Sequence, residues 1–253
     1  MSPLSFVVFL CPLLLCSVTT HARSSVPRAF SSFLKPQTFS FLDSNSPRLS
    51  RRFLSAQKPP PRLFASSNKM TVKVLVPIAQ GSEEIEAVCI IDVLRRAGAE
   101  VTVASVEATA DPVEMSRGVF IKPDVQIAAV EGESFDCIAV PGGMPGAGRC
   151  RDSAVLTSML KKQKEQGKWI AAICASPAVV LHSHGLLQGE KAVAYPCFMD
   201  KFPADMRGEG RVCVSNKTVT SVGPSSAIEF SVKLIEVLFD AAKAKKVAGD
   251  MLC

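Results

Sequence analysis

Residues 169–181, WIAAICASPAVVL, decide the fold: an apolar run ends at Ile173, and a cysteine and small residues then lead into an apolar helical pattern. A strand that turns sharply into a helix beside small residues is the arrangement of a nucleophile elbow. The start of a helix presents unpaired N–H groups and a partial positive charge, which favour the thiolate. The sequence therefore predicts that Cys174 is a catalytic or redox nucleophile with a lowered pKa.

Strand and helix patterns alternate on both sides of this elbow. Apolar runs predict strands at 72–78, 101–106, 135–140, 169–173, 192–195, 211–215 and 219–222. Helical spacing predicts one helix that follows residues 81–84 and ends at Ala97, and others at 155–166, 176–184 and 228–239. This order is typical of an α/β fold with a mostly parallel sheet and helices on both faces.

Three loops follow predicted strands and carry glycine or acidic residues, namely 81–86, 141–148 and 174–177. The carboxyl ends of parallel strands lie at one edge of a sheet, and functional groups gather there. We therefore expect the three loops to converge around Cys174.

Positive charge is concentrated at the N-terminal end. Residues 1–69 contain nine Lys and Arg against one acid, about +8, whereas the whole chain carries +6, which leaves about −2 for residues 70–253. The basic pI thus belongs to the first 69 residues and gives no reason to expect a nucleic-acid partner.

Residues 1–68 are rich in Ser, Pro and Arg and poor in acids, as transit peptides are. We interpret them as a disordered targeting leader, with a single domain at 69–253, and expect a chloroplast location. The apolar stretch 4–18 leaves the secretory pathway and the cytosol as alternatives, and it is too short to span a membrane comfortably.

A thiol nucleophile needs a partner that handles protons, and histidine is the usual one. His182 and His184 lie on the helix predicted after the elbow, which carries them about 12 Å from its start, and no histidine follows them. The spacing of these histidines from the cysteines also differs from the ligand spacing of zinc sites, so no metal is expected.

A carboxyl group is the remaining option. Acids at a helix start are commonly solvated and complement the dipole, and we interpret Glu83 and Glu84 in this way. Glu86 lies beside apolar residues, and the sequence leaves open whether it points into the cleft. If it does, it is protonated near neutral pH and can share a proton with Cys174.

The glycines after the strand 135–140 have two interpretations. Pro141, Gly142 and Gly143 can be a simple turn, or they can bring backbone N–H groups close to a substrate oxygen. Their spacing does not match a phosphate-binding loop.

In these loops the chain resembles the DJ-1/PfpI superfamily across residues 71–250. The matching stretches are IAQGSEEIE at 78–86, DVLRRAG at 92–98, VPGG at 140–143 and AAICASP at 171–177, with Ser116-Arg117 and Gly223-Pro224. The leader and the motifs resemble plant plastid members, which typically carry two such domains in tandem, whereas this chain has one.

The resemblance implies a flavodoxin-like three-layer sandwich that forms a homodimer and needs no cofactor. It assigns Cys174 as the nucleophile and Glu86 as the glutamate that shares its proton. Gly143 and Ala175, with Gly142 beside them, match the backbone that faces the substrate oxygen. Arg117 matches a position near the subunit contact and the mouth of the site.

The activities that the resemblance implies are glutathione-independent glyoxalase chemistry, repair of early glycation adducts, and sensing of oxidants through the cysteine. The expected partners are small 2-oxoaldehydes or glycated adducts, without nucleic acid or membrane. The protease relatives carry a histidine directly after the cysteine, where this chain has Ala175, and the glutaminase relatives need a later histidine that this chain lacks.

One residue departs from the pattern. Tyr195-Pro196 stands where several members have a histidine before proline, and a tyrosine with a pKa of about 10 is a poor base at neutral pH. Glu86 would then move the proton alone. The alternatives to an enzyme are a redox sensor or chaperone that uses oxidation of Cys174, and a structural subunit with a vestigial site.

Overall fold

The structure is a computed structural model that describes residues 71–109 and 111–253. The leader predicted at residues 1–68 lies outside the described residues, and the chloroplast location stays a prediction. The strands are β1 Lys73–Ile78, β2 Glu100–Ser105, β3 Val113–Glu114, β4 Phe120–Ile121, β5 Val125–Gln126, β6 Cys137–Val140, β7 Trp169–Ile173, β8 Val212–Ser215 and β9 Thr218–Ser221. The α-helices are α1 Glu84–Arg96, α2 Gly146–Asp152, α3 Ala154–Glu165, α4 Ala227–Leu238 and α5 Ala241–Asp250.

Seven strands form one sheet in the order β5-β2-β1-β6-β7-β9-β8, and β3 pairs with β4 in a separate hairpin. Every pairing in the large sheet is parallel except that of β8 with β9. The predicted flavodoxin-like α/β fold with a mostly parallel sheet is therefore confirmed.

The direction in which the chain crosses the sheet reverses between β1 and β6. From β1 the chain passes through α1 to β2 on one side, and from β6 it passes through α2 and α3 to β7 on the other. Because both crossovers have the same hand, their helices cover opposite faces of the sheet. Helix α1 packs with α4, which packs with α5, while α2 packs with α3. The carboxyl ends of β1 and β6 flank the crevice in which sites of such folds form.

Because helices cover both faces of the sheet, its central strands form the core. Strands β6 and β7 are apolar almost throughout and nearly all buried, as expected for parallel strands with helices on both faces. Helix α1 buries Ala87, Ile90 and Leu94, whose spacing places them on one face toward the sheet. Gly98, with a φ of +86°, follows the end of α1 and lets the chain turn into β2. None of the described helices is long and apolar enough to cross a membrane.

The strand predicted at 192–195 is wrong. Ala192 makes one isolated bridge, to Arg207, and a 3₁₀ helix follows at Pro196–Lys201. The backbone N–H groups of this segment donate to acceptors other than the backbone of a strand. That of Val193 donates to the Thr220 hydroxyl, that of Ala194 to the Met199 sulfur, and that of Tyr195 to the Cys174 carbonyl. These bonds go to side chains and to the elbow, so no ladder with a neighbouring strand forms.

The helix predicted at 176–184 is present in a different form. Pro177–Leu181 is a π-helix, in which the His182 N–H donates to the Pro177 carbonyl five residues earlier, and His182–His184 is a single 3₁₀ turn. Two α-helices were not predicted from the sequence. Helix α2 contains two glycines and lacks an apolar stripe, and α5 buries only Ala244 and Val247.

Candidate active site

The elbow is formed by backbone geometry at Cys174. This residue directly follows β7 and has a φ of +63°, a conformation that costs energy in a residue other than glycine. Two hydrogen bonds hold it there: its N–H donates to the Ser221 carbonyl over 2.9 Å, and its carbonyl accepts from Tyr195 over 2.8 Å. The Ser176 hydroxyl donates to the Pro141 carbonyl over 2.6 Å and so ties the elbow to the loop after β6.

Glu86 lies in the first turn of α1 and is fully buried. Its Oε2 accepts a hydrogen bond from the Gly142 N–H over 2.7 Å, whereas its buried Oε1 has no hydrogen-bond partner within the described residues. The carboxyl and the Cys174 side chain both lie against Gly142, and each affects the pKa of the other. The structure thus places Glu86 in the cleft, the one of the two orientations that allows it to act with the thiol.

Gly142 lies between the side chains of Cys174 and Glu86, next to the end of β7. A Cβ atom at this position would lie 2.6 Å from the Cys174 Cβ and 2.9 Å from Glu86 Oε2. Gly143 has a φ of +85°, and a Cβ there would lie 2.5 Å from the Glu83 nitrogen. Both glycines are therefore required by close approach, and the Gly142–Gly143 turn is part of the site wall.

Burial raises the pKa of Glu86 from its ordinary 4.5 to about 7. The negative charge of Glu83 acts in the same direction, while the hydrogen bond from Gly142 and the neighbouring Cys174 thiol lower the pKa. Glu86 is therefore a carboxyl group that gains and loses its proton close to neutral pH.

Burial also raises the pKa of the Cys174 thiol, to about 12, and the charge of Glu86 is the second cause. The backbone N–H groups of Gly143 and Ala175 act in the opposite direction. The predicted lowering by a helix start is wrong in direction, because the helix that follows is one five-residue π segment and burial outweighs its partial charge. A protonated Glu86 removes its own repulsion, so the thiolate and the carboxylic acid can exist together.

Glu84 was interpreted from the sequence as a solvated acid, and the structure corrects this. It is buried, and its two oxygens accept hydrogen bonds of 2.7 Å from the Ser116 hydroxyl and the Arg117 N–H. Burial opposes its charge, but these bonds and the Arg117 guanidinium leave the pKa of Glu84 below its ordinary value. Glu84 therefore fixes the Ser116–Arg117 turn, between β3 and β4, to the start of α1.

Arg117 and Tyr195 lie on opposite sides of this arrangement. The Arg117 guanidinium is exposed and donates to the Ser116 carbonyl, so its described hydrogen bonds keep it at the turn held by Glu84. Tyr195 reaches the elbow through its backbone N–H, and its ring is 44% exposed and packs against Gly223. Tyr195 therefore borders the site, whereas Arg117 has no hydrogen bond to the Cys174–Glu86 pair.

Two residues of the site were not singled out from the sequence. Ser176 connects the elbow to Pro141, and Ser221, at the carboxyl end of β9, holds the Cys174 N–H. The rule that sites gather at carboxyl ends of strands could have pointed to Ser221. The hydroxyl bond of Ser176 depends on how closely β6 and β7 approach and has no signal in the sequence.

The histidines of the described region lie away from the site, as expected. The ring of His182 packs edge-on against Phe202, and His184 Nε2 lies 2.9 Å from the Arg151 carbonyl. Cys137 and Cys150 are buried, and burial raises the pKa of both thiols. In residues 71–109 and 111–253 no group of three or more His, Cys, Asp or Glu side chains is arranged to hold a metal ion.

A flavodoxin-like sandwich whose elbow cysteine lies beside a buried glutamate defines a class of cysteine-dependent α/β proteins. Residues 72–237 match the DJ-1/PfpI family. The chain belongs to this family.

The chain is 45% identical over 184 residues to protein DJ-1 homolog A of Arabidopsis thaliana, a match that covers 72% of this chain and 47% of the relative. It thus spans about half the length of this plant relative. The glutathione-independent glyoxalase DJR-1.2 of Caenorhabditis elegans is 35% identical, with 65% of this chain and 87% of the relative covered. The solved structure of oxidized Toxoplasma gondii DJ-1 is 76% identical, with a TM-score of 0.71 over 72% of this chain and 98% of that one.

Proposed function

We propose that the domain at residues 69–253 is a cofactor-independent enzyme that converts 2-oxoaldehydes such as methylglyoxal into 2-hydroxy acids without glutathione. The observation that carries this proposal is a fully buried Glu86 that meets Cys174 at Gly142 and whose pKa is raised to about 7. A nucleophile and a group that exchanges protons near neutral pH are what carbonyl addition followed by proton transfer requires.

The first step is addition of sulfur to the aldehyde. The Cys174 proton passes to the Glu86 carboxylate, the thiolate forms a C–S bond to the aldehyde carbon, and the C=O π electrons move to the oxygen. The N–H groups of Gly143 and Ala175, which already approach the sulfur, are placed to donate to this oxyanion. Glu86 then returns its proton to the oxygen and gives a hemithioacetal.

The second step moves a proton between adjacent carbons. The Glu86 carboxylate takes the proton from the carbon bound to sulfur, electrons shift onto the neighbouring carbonyl oxygen, and an enediolate forms. Glu86 returns this proton to the neighbouring carbon, the hydroxyl proton moves from the first oxygen to the second, and a thioester of the 2-hydroxy acid results. Water then attacks this thioester, the C–S bond breaks, and lactate leaves while the thiol is restored.

Tyr195 borders this chemistry at the mouth of the site. Its hydroxyl has no hydrogen-bond partner in the part of the chain that the structure describes, so it is free to donate to a substrate oxygen. We assign it to substrate binding and leave the proton transfer to Glu86. Arg117, at the turn held by Glu84, can meet only a larger substrate that extends beyond the pair, such as a glycated adduct.

Support for the substrate class comes from the Caenorhabditis elegans relative, whose name is that of a glutathione-independent glyoxalase. Early glycation adducts present the same kind of carbonyl to the same thiol. Repair of such adducts is therefore the second substrate class of the proposed site.

The test is lactate formation from methylglyoxal, with glutathione omitted, by the full chain and by Cys174→Ser and Glu86→Gln. We expect lactate from the unmodified protein and a loss of at least about 100-fold in each variant, since general acid–base catalysis alone contributes about that much. Cys150→Ser is the matched control, because this thiol is also buried but has Glu107, and not Glu86, as the acid that acts on it. No lactate from the unmodified protein contradicts the proposal.

A redox sensor is the second candidate, favoured by the oxidized state of the solved Toxoplasma gondii relative. Two molecules of hydrogen peroxide would each transfer one oxygen to the Cys174 sulfur, giving a sulfinate and two waters. A protonated Glu86 would donate a hydrogen bond to this product. Peroxide treatment followed by peptide mass spectrometry should then show two added oxygens on Cys174 before the exposed Cys197 and Cys253. Equal oxidation of the three cysteines would exclude this role.

A further inference from the structure

Glu83 closes a ring of hydrogen bonds around Glu86. It is the N-cap of α1, and its carboxylate accepts the Glu86 N–H over 2.8 Å. Its own N–H donates to the Gly142 carbonyl over 3.0 Å, and the Gly142 N–H in turn donates to Glu86 Oε2. Glu83 therefore holds both the backbone of Glu86 and Gly142, the residue whose N–H binds the Glu86 side chain.

The charge of Glu83 acts on the same group. Of the ionisable neighbours, Glu83 is the one whose negative charge disfavours ionisation of Glu86, while the Cys174 thiol on the elbow favours it. Cys89, one turn later on α1, faces Glu83, Glu86 and Asp92 and stays a thiol because burial and these acids raise its pKa. The Pro141–Gly143 loop contributes no charged side chain to this region.

We propose that Glu83 is a positioning residue for the Cys174–Glu86 pair: it fixes Glu86 through the N-cap bond, and its negative charge shifts the shared proton from sulfur toward Glu86. This proposal rests on the Cys174–Glu86 pair of the proposed function. It adds an explanation of how the proton is divided between the two side chains. The proton on Glu86 is the state in which Cys174 is a thiolate, so Glu83 promotes the reactive form without touching substrate.

The expected effect has a definite sign. When the pair holds two protons, both groups are neutral, and when it holds one, the proton is on sulfur or on Glu86. Removing the charge of Glu83 lowers the pKa of Glu86, so the transition to the one-proton state moves to lower pH. The same change favours the proton on sulfur within that state, so the thiolate becomes rarer and alkylation slower.

The experiment measures the rate of iodoacetamide alkylation of Cys174 against pH, in the full chain, by mass spectrometry of the peptide that contains it. Glu83→Gln keeps an oxygen that can cap the helix but removes the charge. We expect its inflexion to move by roughly one unit to lower pH and its rate above the inflexion to fall up to about tenfold, with unchanged thermal stability. Glu83→Ala should show the same shift and a lower melting temperature as well, because the cap is lost.

Asp92→Asn is the matched control, since it removes a charge of the same sign from the same helix, where Asp92 pairs with Arg96. Its profile should equal that of the unmodified protein. A Glu83→Gln profile that does not move, or an equal shift in Asp92→Asn, overturns the role of Glu83. Glu86→Gln separates this failure from failure of the proposed function: if that variant loses the inflexion while Glu83→Gln leaves it in place, the pair stands and only the role of Glu83 is wrong.

Discussion

The burial of Glu86 gives the site a group that exchanges protons near neutral pH, and it lowers the stability of the folded protein. Its pKa is about 7 in the folded protein against an ordinary 4.5, so the folded state binds the extra proton between these values. The stability contributed by this proton is fully present below pH 4.5 and is lost as the pH rises through about 7. A difference of this size corresponds to about 3 kcal/mol.

Glu86→Gln should therefore stabilise the domain at pH 8 by as much as about 3 kcal/mol relative to the unmodified protein, while abolishing activity. The amide oxygen can still accept the Gly142 N–H, so the loop contact survives. The measurement is urea unfolding of both proteins at pH 8 and at pH 4.5, and the gap should shrink toward zero at the lower pH. A gap that is equal at both pH values would show that Glu86 does not titrate in this range.

The residues of the pair could be found in the sequence, but their protonation could not. Cys174 was a candidate from the strand–cysteine–small residue pattern, whereas the residues alone left the orientation of Glu86 open and the family resemblance assigned it. The direction of the Cys174 pKa was wrong because it depends on how deeply α1, β6 and β7 bury the thiol. Glu84 was misjudged for the same reason, since its partners Ser116 and Arg117 lie more than thirty residues away along the chain.

At the scale of elements, strands buried on both faces were predictable because apolar runs bounded by glycine leave few alternatives. The segment 192–195 has the same apolar character, yet its N–H groups donate to a hydroxyl, a sulfur and the elbow carbonyl. Local pattern cannot reveal that competition, because each acceptor comes from a different part of the chain. Helix α5 was missed for a different reason. Its Ala and Lys residues favour a helix, but it buries too few side chains to give an apolar stripe.

The elbow and the loop after β6 act as one unit at this scale. Gly142 leaves no room for a side chain, Ser176 bonds to Pro141, and Glu83 bonds to Gly142, so β1, β6 and β7 fix each other at their carboxyl ends. This explains why three short loops could be expected to converge before any contact between them was known. The parallel sheet brings them together, and the glycines allow the close approach.

At the scale of the whole molecule, one surface is unusually apolar. Ile85 and Val88 on α1, with Val119 and Phe120 at the β3–β4 hairpin, are between 47% and 65% exposed. A cleft of about 490 Å³ lies between α1 and the hairpin, and its charged lining residues are two acids and two bases, Asp92, Arg95, Lys122 and Asp124. An apolar patch with balanced charges suits a two-fold contact, in which each surface meets its own copy. We propose that the protein forms a homodimer through this surface.

Phe120→Asp should convert this dimer into a monomer, because an unpaired carboxylate would be buried at the centre of the contact. The measurement is sedimentation equilibrium of the full chain. Val214→Asp is the control, since Val214 is similarly exposed on the edge strand β8, away from the patch. Two variants that both remain dimeric would place the contact elsewhere, and a monomeric unmodified protein would refute the dimer.

We propose that Cys174 and Glu86 share one proton and act together on a carbonyl substrate. The most direct measurement is kcat/KM for lactate formation from methylglyoxal as a function of pH, in the unmodified protein and in Glu86→Asp, which keeps a carboxyl but shortens its reach. The active pair holds a single proton, so the rate should rise through an inflexion near pH 7, set by the raised pKa of Glu86, and then stay level at higher pH. Glu86→Asp should be slower and should lose this inflexion. A flat profile in the unmodified protein, or an unchanged inflexion in the variant, would show that Glu86 does not share the proton of Cys174 during catalysis.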